Sequence, residues 1–476
     1  MWQRRFVLAS LVMAAIPALS PRTSAESPAA GRALHVDPVA GQDSGDGVEQ
    51  PVRTIGRAIR LARPGDTIHL QPREYRDEAA FFDKSGEAGR PITLDGHGAT
   101  LNGCDSLVAD AWKEVLPGLY RHDDLLPLTD AIIARWFFLW GGKPNRMNRC
   151  SKGPSEPLKL PTELQPGEWT FVKDEERTKT VRAGYIRGTF WIRLAEGARL
   201  ADARIEAPMR MAGVSMHGTC SHLAVRNVTS THPYNDGFNL SNCRNITFEN
   251  IRAVECGDDG ISAHGECDYD VTGFASIGNA TGICDTGHSR TSYRRVLIRD
   301  CAGFDLYLLD TGTYSVRDAL VLSSAARSVY LMGRPSSEEP CRLTLENVLV
   351  RRLKTENEIR VSANCELTAR RSTFQGLDLQ ATGGTLRFEE CVVAGPVPAA
   401  TARKPRVHLW KDAVWHGRHN LSDLESIRVG QVTLGPSRFG EFAGLVAGDV
   451  DSRWEPVTTI PEGFGADEST LAGLDR

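Results

Sequence analysis

The chain has 476 residues, of which 41% are hydrophobic and 24% charged, with a formal net charge of −4. That balance excludes a dedicated nucleic-acid binder, which would carry a basic face. The length admits either two ordinary domains or one elongated repeat domain with an insertion.

Taken in chain order, the first signal is Arg4 and Arg5 ahead of an apolar run from Phe6 to Leu19 and the small-residue site Thr23-Ser24-Ala25. This predicts a secretory signal peptide over residues 1–25, cut near Ala25, and a secreted or periplasmic mature protein. The apolar run is too short to span a bilayer and no later stretch has spanning length, so no integral membrane segment is expected; separately, the protein is expected to be a monomer. Residues 26–105 read as an N-terminal cap followed by first coils. Within them Ile55, Ala58, Ile59 and Ala62 share one helical face, and Pro64-Gly65-Asp66 ends the helix. A helix there would cover the open end of a solenoid. Residues 106–204, rich in tryptophan, proline and charge, carry no repeat and predict an inserted β-rich domain.

From residue 205 to 403 a four-residue apolar pattern recurs. It begins at Val225, Phe248, Val271, Tyr293, Val316 and Leu345, with weaker copies at Ala369 and Phe388, in steps of 23, 23, 22, 23, 29, 24 and 19 residues. This period, with β-branched alternation and no helical stripe, predicts a parallel β-solenoid in which each coil buries its inward residues only by stacking. A second column, Gly213, Gly237, Gly260 and Gly282, keeps the same period and predicts a corner of each coil. Cysteines follow it too, as Cys220, Cys243 and Cys267, and as Cys341 and Cys365. The eleven cysteines include no Cys-x-x-Cys, so sulfur-bound metal is not expected. The columns read either as an inert buried ladder or as disulfides between coils. Residues 404–476 show no clear repeat and predict irregular strands and loops closing the far end.

Val36-Asp37-Pro38, the Gly/Asp-rich stretch 41–47, Pro51-Val52-Arg53-Thr54-Ile55 and Pro64-Gly65-Asp66-Thr67-Ile68 resemble the opening of secreted right-handed β-helix proteins of the pectate-lyase-like superfamily. The resemblance covers residues 34–105 and 205–395 and implies an all-β, right-handed parallel β-helix. The phrases Ala134-Arg135-Trp136, Pro166-Gly167-Glu168-Trp169 and Gly188-Thr189-Phe190-Trp191-Ile192 resemble a small β-rich domain inserted in some glycan-active β-helix enzymes.

On this register Asp236 stacks on Asp259, and Asn235 on Asp258. Crowded carboxylates raise one another's pKa, so one can stay protonated beside an ionised neighbour, the division of labour that glycoside hydrolysis uses. Asn235-Asp236-Gly237 followed one coil later by Gly257-Asp258-Asp259 is similar to the polygalacturonase family of inverting glycoside hydrolases. That resemblance implies acid and base roles for Asp236, Asp258 and Asp259. The family's Asn-Thr-Asp lacks its Thr here and its downstream Arg-x-Lys has no counterpart, which removes the basis for uronate specificity. His264 is the preferred candidate for the family's histidine, ahead of His288 and His232, in an outward column read to include Ser241, Thr286 and Asp310. Asn235, Asn239, His288, Tyr307, Asp310, Arg327 and Tyr330 are expected substrate contacts, with Asp285, Asp305 and Arg334 nearby.

The expected function is a secreted glycoside hydrolase acting on a polysaccharide, with no cofactor and no metal. Two other readings stay open. A polysaccharide lyase would hold Ca²⁺ on the aspartates and use an arginine base such as Arg294, Arg295, Arg299 or Arg327, because residues 205–353 contain no lysine. A non-catalytic glycan-binding surface protein would need no mixed ionisation states at all.

Overall fold

The computed structural model describes residues 31–475 apart from 127, 154, 354–356, 396–402 and 411. The leader expected over residues 1–25 lies outside the described residues. The chain is a right-handed parallel β-helix. Its first sheet pairs Ala33–Val36 with Thr67–Leu70, then Ile92–Asn102, and climbs through Ser221–Thr231, Arg244–Val254, Asp268–Ile277, Arg290–Arg299 and Thr313–Ser323 to Cys341–Arg352, all in parallel. A second parallel sheet runs through Ala79–Phe82, Val214–His217, Phe238–Ser241, Asp259–His264, Thr281–Asp285, Phe304–Asp310 and Arg327–Gly333. Inward side chains of the two sheets form one continuous apolar core.

The recurrent four-residue pattern marks a bend inside each long strand of the first sheet. Asn227, Asn250, Gly273, Arg295, Asp318 and Asn347, the third residue of successive copies, all have φ between 51° and 77°. Asn, Asp and Gly enter this left-handed region most readily, which accounts for most of the column. The apolar residues on either side, such as Val225 and Val228 or Phe248 and Ile251, both point inward and are buried.

The glycine column needs a correction, because Gly213, Gly237, Gly260 and Gly282 are not among the residues with positive φ. They face inward where the sheets approach closely. A Cβ would lie 2.1 Å from Ser230 Oγ at Gly213, 2.6 Å from Ala253 Cβ at Gly237, 2.3 Å from Ser276 Oγ at Gly260 and 2.7 Å from Ile298 Cγ2 at Gly282. Crowding, not backbone conformation, selects glycine there. All eleven cysteines are free thiols, and Cys341 pairs in register with Cys365.

Helix Ile55–Leu61 starts at Thr54, whose hydroxyl accepts from the Arg57 amide at 3.2 Å. It packs against Ala33–Val36, Thr67–Leu70 and Ala79–Phe82 and buries Ile55, Ala58 and Ile59 in the core. Parallel pairing continues past residue 403 through Arg406–Trp410, Val414–Arg418 and Ser426–Val429. The solenoid therefore extends further than a repeat-based boundary suggests, and Val432–Leu434 folds back antiparallel on its last strand. Phe439 and Phe442 fill the core at that end.

Between the first coils and Ser221–Thr231, residues 104–208 build two four-stranded antiparallel sheets. Trp136, Phe138, Trp169 and Phe190 pack together at their centre in edge-to-face and tilted pairs, with ring centroids 4.8 to 6.3 Å apart. Among the described residues no helix is long and apolar enough to cross a membrane.

Candidate active site

Four successive coils and the inserted segment meet at a cavity of about 790 Å³ over the outer face of the second sheet. Pairing of Phe238–Ser241 with Asp259–His264 sets Asp236 beside Asp259, and the Asp259 amide donates to Asp236 Oδ1 at 3.0 Å. Asp236, Asp258 and Asp259 each bring one oxygen within 4.8 Å of the others. All three line the cavity although only 2%, 6% and 2% exposed.

Such crowding needs countercharge, and the insertion supplies it. Lys152 Nζ bonds both oxygens of Asp259, with Oδ2 at 2.6 Å, and lies 3.4 Å from Asp258 Oδ1. Arg135, closing helix Asp130–Arg135, sits 2.9 Å from Asp258 Oδ2, and Ser151 donates to Asp258 Oδ1. None of these three was visible to reasoning from the repeats, since the residues lie about one hundred positions upstream in a segment with no period. The insertion is pinned by Arg146, whose buried guanidinium donates to the carbonyls of Cys256 at 2.7 Å and Glu255 at 3.1 Å and stacks on Phe137. Those carbonyls belong to the residues just before Asp258.

Three carboxylates against two cations leave one negative charge uncompensated, which favours retention of a proton. Burial, reinforced by Asp258, pushes Asp259 up to about 8 even against the pull of Lys152. Burial acts the same way on Asp258, but Lys152, Arg135 and Ser151 outweigh it and hold that carboxyl below the usual range. Burial disfavours the charged Lys152, yet Asp259 and its neighbours hold the ammonium well above its ordinary range. The three groups share protons as one unit, with Asp259 the carboxyl that keeps one longest.

Asp236 is held differently. Asn239 and Asn235 donate to its Oδ2, the latter at 3.0 Å, and Ser262 does so at 2.7 Å. Ser262 Oγ also lies 3.2 Å from His264 Nε2. Because the single hydroxyl proton of Ser262 goes to Asp236, the His264 nitrogen must be the donor in that contact. His264 is exposed at the cavity wall. Asn235 lines the cavity with a buried Oδ1 that has no partner.

Of the other expected contacts, only Tyr307 lines the cavity. Asn239 is buried behind Asp236 and spent on it. Tyr330 stacks on Tyr307 at 5.6 Å, outside the cavity, and Arg327 is committed to Glu358 at 2.7 Å. His288 projects from a loop toward Thr311 and Glu339. Asp310 does not share the His264 column. Pairing of Ala263 with Asp285 and of Asp285 with Leu308 places Thr286 and Leu309 above His264, while Asp310 accepts from the Gly287 amide and from Arg334. Asp285 has the inward parity of Ile283, Asp305 stands in register with Gly282, and both are fully buried, bonded to Tyr269, Thr291 and Tyr293 and to Ser323 and Ser328 respectively. They are core polar groups, not subsite residues. Burial raises both, Asp305 to about 7.

The oxygens of the three aspartates have a spacing that a divalent cation such as Ca²⁺ can bridge. Lys152 and Arg135 already occupy those oxygens, so this arrangement does not fit the ion unless the insertion withdraws them.

No family model and no curated protein matches the sequence. Among solved structures, a glycoside hydrolase is similar at 11% identity over 93% of this chain and all of its own, with a TM-score of 0.50. A complex of XylC with xylose matches at 13% identity over 89% of this chain and 82% of its own, TM-score 0.45. A rhamnogalacturonan lyase matches at 11% over 84% and 83%, TM-score 0.42. The shared architecture is the parallel β-helix. At these identities the likeness concerns architecture alone, and the chemistry of this β-helix protein has to be argued from its own cavity.

Proposed function

We propose that this chain is a glycan-cleaving hydrolase whose active site is the aspartate cluster beneath the inserted segment. The observation that carries this reading is the convergence of Asp236, Asp258 and Asp259 on a cavity, under countercharges from Lys152 and Arg135. Asp259, protonated near neutrality, is the general acid that protonates the glycosidic oxygen. Asp258, held ionised, is the carboxylate that activates water or stabilises the positive sugar. Asp236 is fixed by its four donors as an acceptor, and the free Oδ1 of Asn235 offers a bond to a sugar hydroxyl. Tyr307 supplies an aromatic face at the cavity wall. The glycoside hydrolase that shares the architecture is in keeping with this reading. A polysaccharide is the proposed substrate, and an exported location is proposed with it.

A lyase reading is favoured by one observation, the arrival of Lys152 at a site whose own coils contain no lysine. Proton abstraction needs a neutral amine, and the Asp258 and Asp236 carboxylates favour the ammonium form of this one even while Asp259 carries its proton. The experiment is a polysaccharide panel read in parallel for new reducing ends and for the ultraviolet absorbance of an unsaturated product. Reducing ends without that absorbance, lost by roughly 10²–10⁴-fold in Asp259→Asn and Asp258→Asn, support the hydrolase. Unsaturated product, or turnover untouched by both substitutions, overturns it.

A further inference from the structure

On the first coils, remote in topology from the aspartate cavity, outward positions of the other sheet carry a second cluster. Register places His35 beside His69 and His69 beside Asp95. His97, two residues on, has a left-handed backbone, φ 51°, and its ring lies over His69 with centroids 5.2 Å apart. His69 Nδ1 and His97 Nε2 face each other at 2.9 Å. Asp95 is buried and fixed by Arg226 at 2.8 Å, Asn227 at 3.0 Å and the His97 amide at 3.1 Å, with Oδ1 3.7 Å from the other nitrogen of the His97 ring.

We propose that His69 and His97, oriented by Asp95, form a binding site for a borderline transition-metal dication, Zn²⁺ or Cu²⁺. Two imidazole nitrogens bound to one tetrahedral zinc at about 2.0–2.1 Å stand roughly 3.3 Å apart, so a few tenths of an ångström separate the observed pair from a ligating pair. Imidazole is the donor that these ions favour. A carboxylate at the far nitrogen of a ligating histidine fixes its tautomer and raises its basicity, the position Asp95 takes toward His97. One oxygen of Asp95 also lies within 4.8 Å of both histidine donors, which keeps its negative charge beside the proposed ion. His35, stacked on His69 at 5.5 Å, walls the site on one side.

The test is calorimetric titration of the full chain with Zn²⁺ and electron paramagnetic resonance with Cu²⁺. One saturable equivalent with micromolar or tighter affinity is expected, and a copper spectrum with imidazole nitrogen couplings. His69→Gln and His97→Asn, the latter keeping a residue that tolerates left-handed backbone, should each weaken binding at least tenfold, and Asp95→Asn about tenfold. His288→Ala should leave it unchanged. No saturable site, or affinity that survives both His69→Gln and His97→Asn, overturns the proposal.

Discussion

The ammonium of Lys152 and the carboxylate of Asp259 are 107 residues apart in sequence and in direct contact in the fold, with Asp259 Oδ2 at 2.6 Å. The pair joins two parts of the chain with different logic, a periodic scaffold and an aperiodic insertion. Replacing Lys152 by Met leaves Asp259 buried without its cation, which should cost about 3 kcal/mol in denaturant unfolding. Because Lys152 pulls the Asp259 carboxyl down, its loss should also move the alkaline limb of the pH–rate profile upward. A limb that stays in place would show that Asp259 is not the group that sets it.

Asp259 also predicts how stability varies with pH. Its folded-state value of about 8 lies above the ordinary 3.8 of an unfolded aspartate, so the folded chain binds the extra proton between those limits. The stabilisation is complete below about 3.8 and is lost as pH rises to about 8. Melting temperature should therefore fall across that window, and Asp259→Asn should flatten the fall. An equal slope in the variant would contradict the assignment.

Arg146 holds the insertion to the coil that presents Asp258. Arg146→Ala strips donors from buried carbonyls and should cost about 2–3 kcal/mol. Turnover should fall while far-ultraviolet circular dichroism keeps its β signature. Undiminished turnover would mean that the insertion stays seated without this anchor.

The two kinds of glycine should respond oppositely to substitution. Gly260→Ala would put a methyl 2.3 Å from Ser276 Oγ and should destabilise by about 1–3 kcal/mol. Gly273→Asn places at the left-handed bend the residue that Asn227, Asn250 and Asn347 already provide; its Cβ would meet only the end of the exposed Asn250 side chain, 2.7 Å from Oδ1, which can turn aside, so the change should stay within about 1 kcal/mol of the wild type. Equal losses in chemical unfolding would refute the distinction between crowding and conformation.

The solenoid was legible because coil stacking imposes one period on apolar, bend and cysteine positions alike, and the aspartate juxtaposition follows from that period. Misreadings arose where a column was recognised without its side. Asp285 has the same parity as core Ile283, so alternation carried through that coil would have placed it inside, whereas Asp305 directly precedes core Leu306 and is inside because it stands in register with Gly282, in the crowded glycine column. Asn239 faces outward but is covered, because the side chain it serves sits between it and the cavity. Lys152, Arg135 and Ser151 carry no periodic signal, and their positions follow from tertiary docking that no local pattern encodes.

Ala79–Phe82 pairs directly with Val214–His217, and Ile92–Asn102 with Ser221–Thr231, so the ladder closes over the point where the extra hundred residues leave and return. Scaffold and countercharge are thus separable modules. Evolution can exchange the segment that brings the lysine and arginine without touching a single rung, which lets one backbone acquire different chemistries at an unchanged trio of acids.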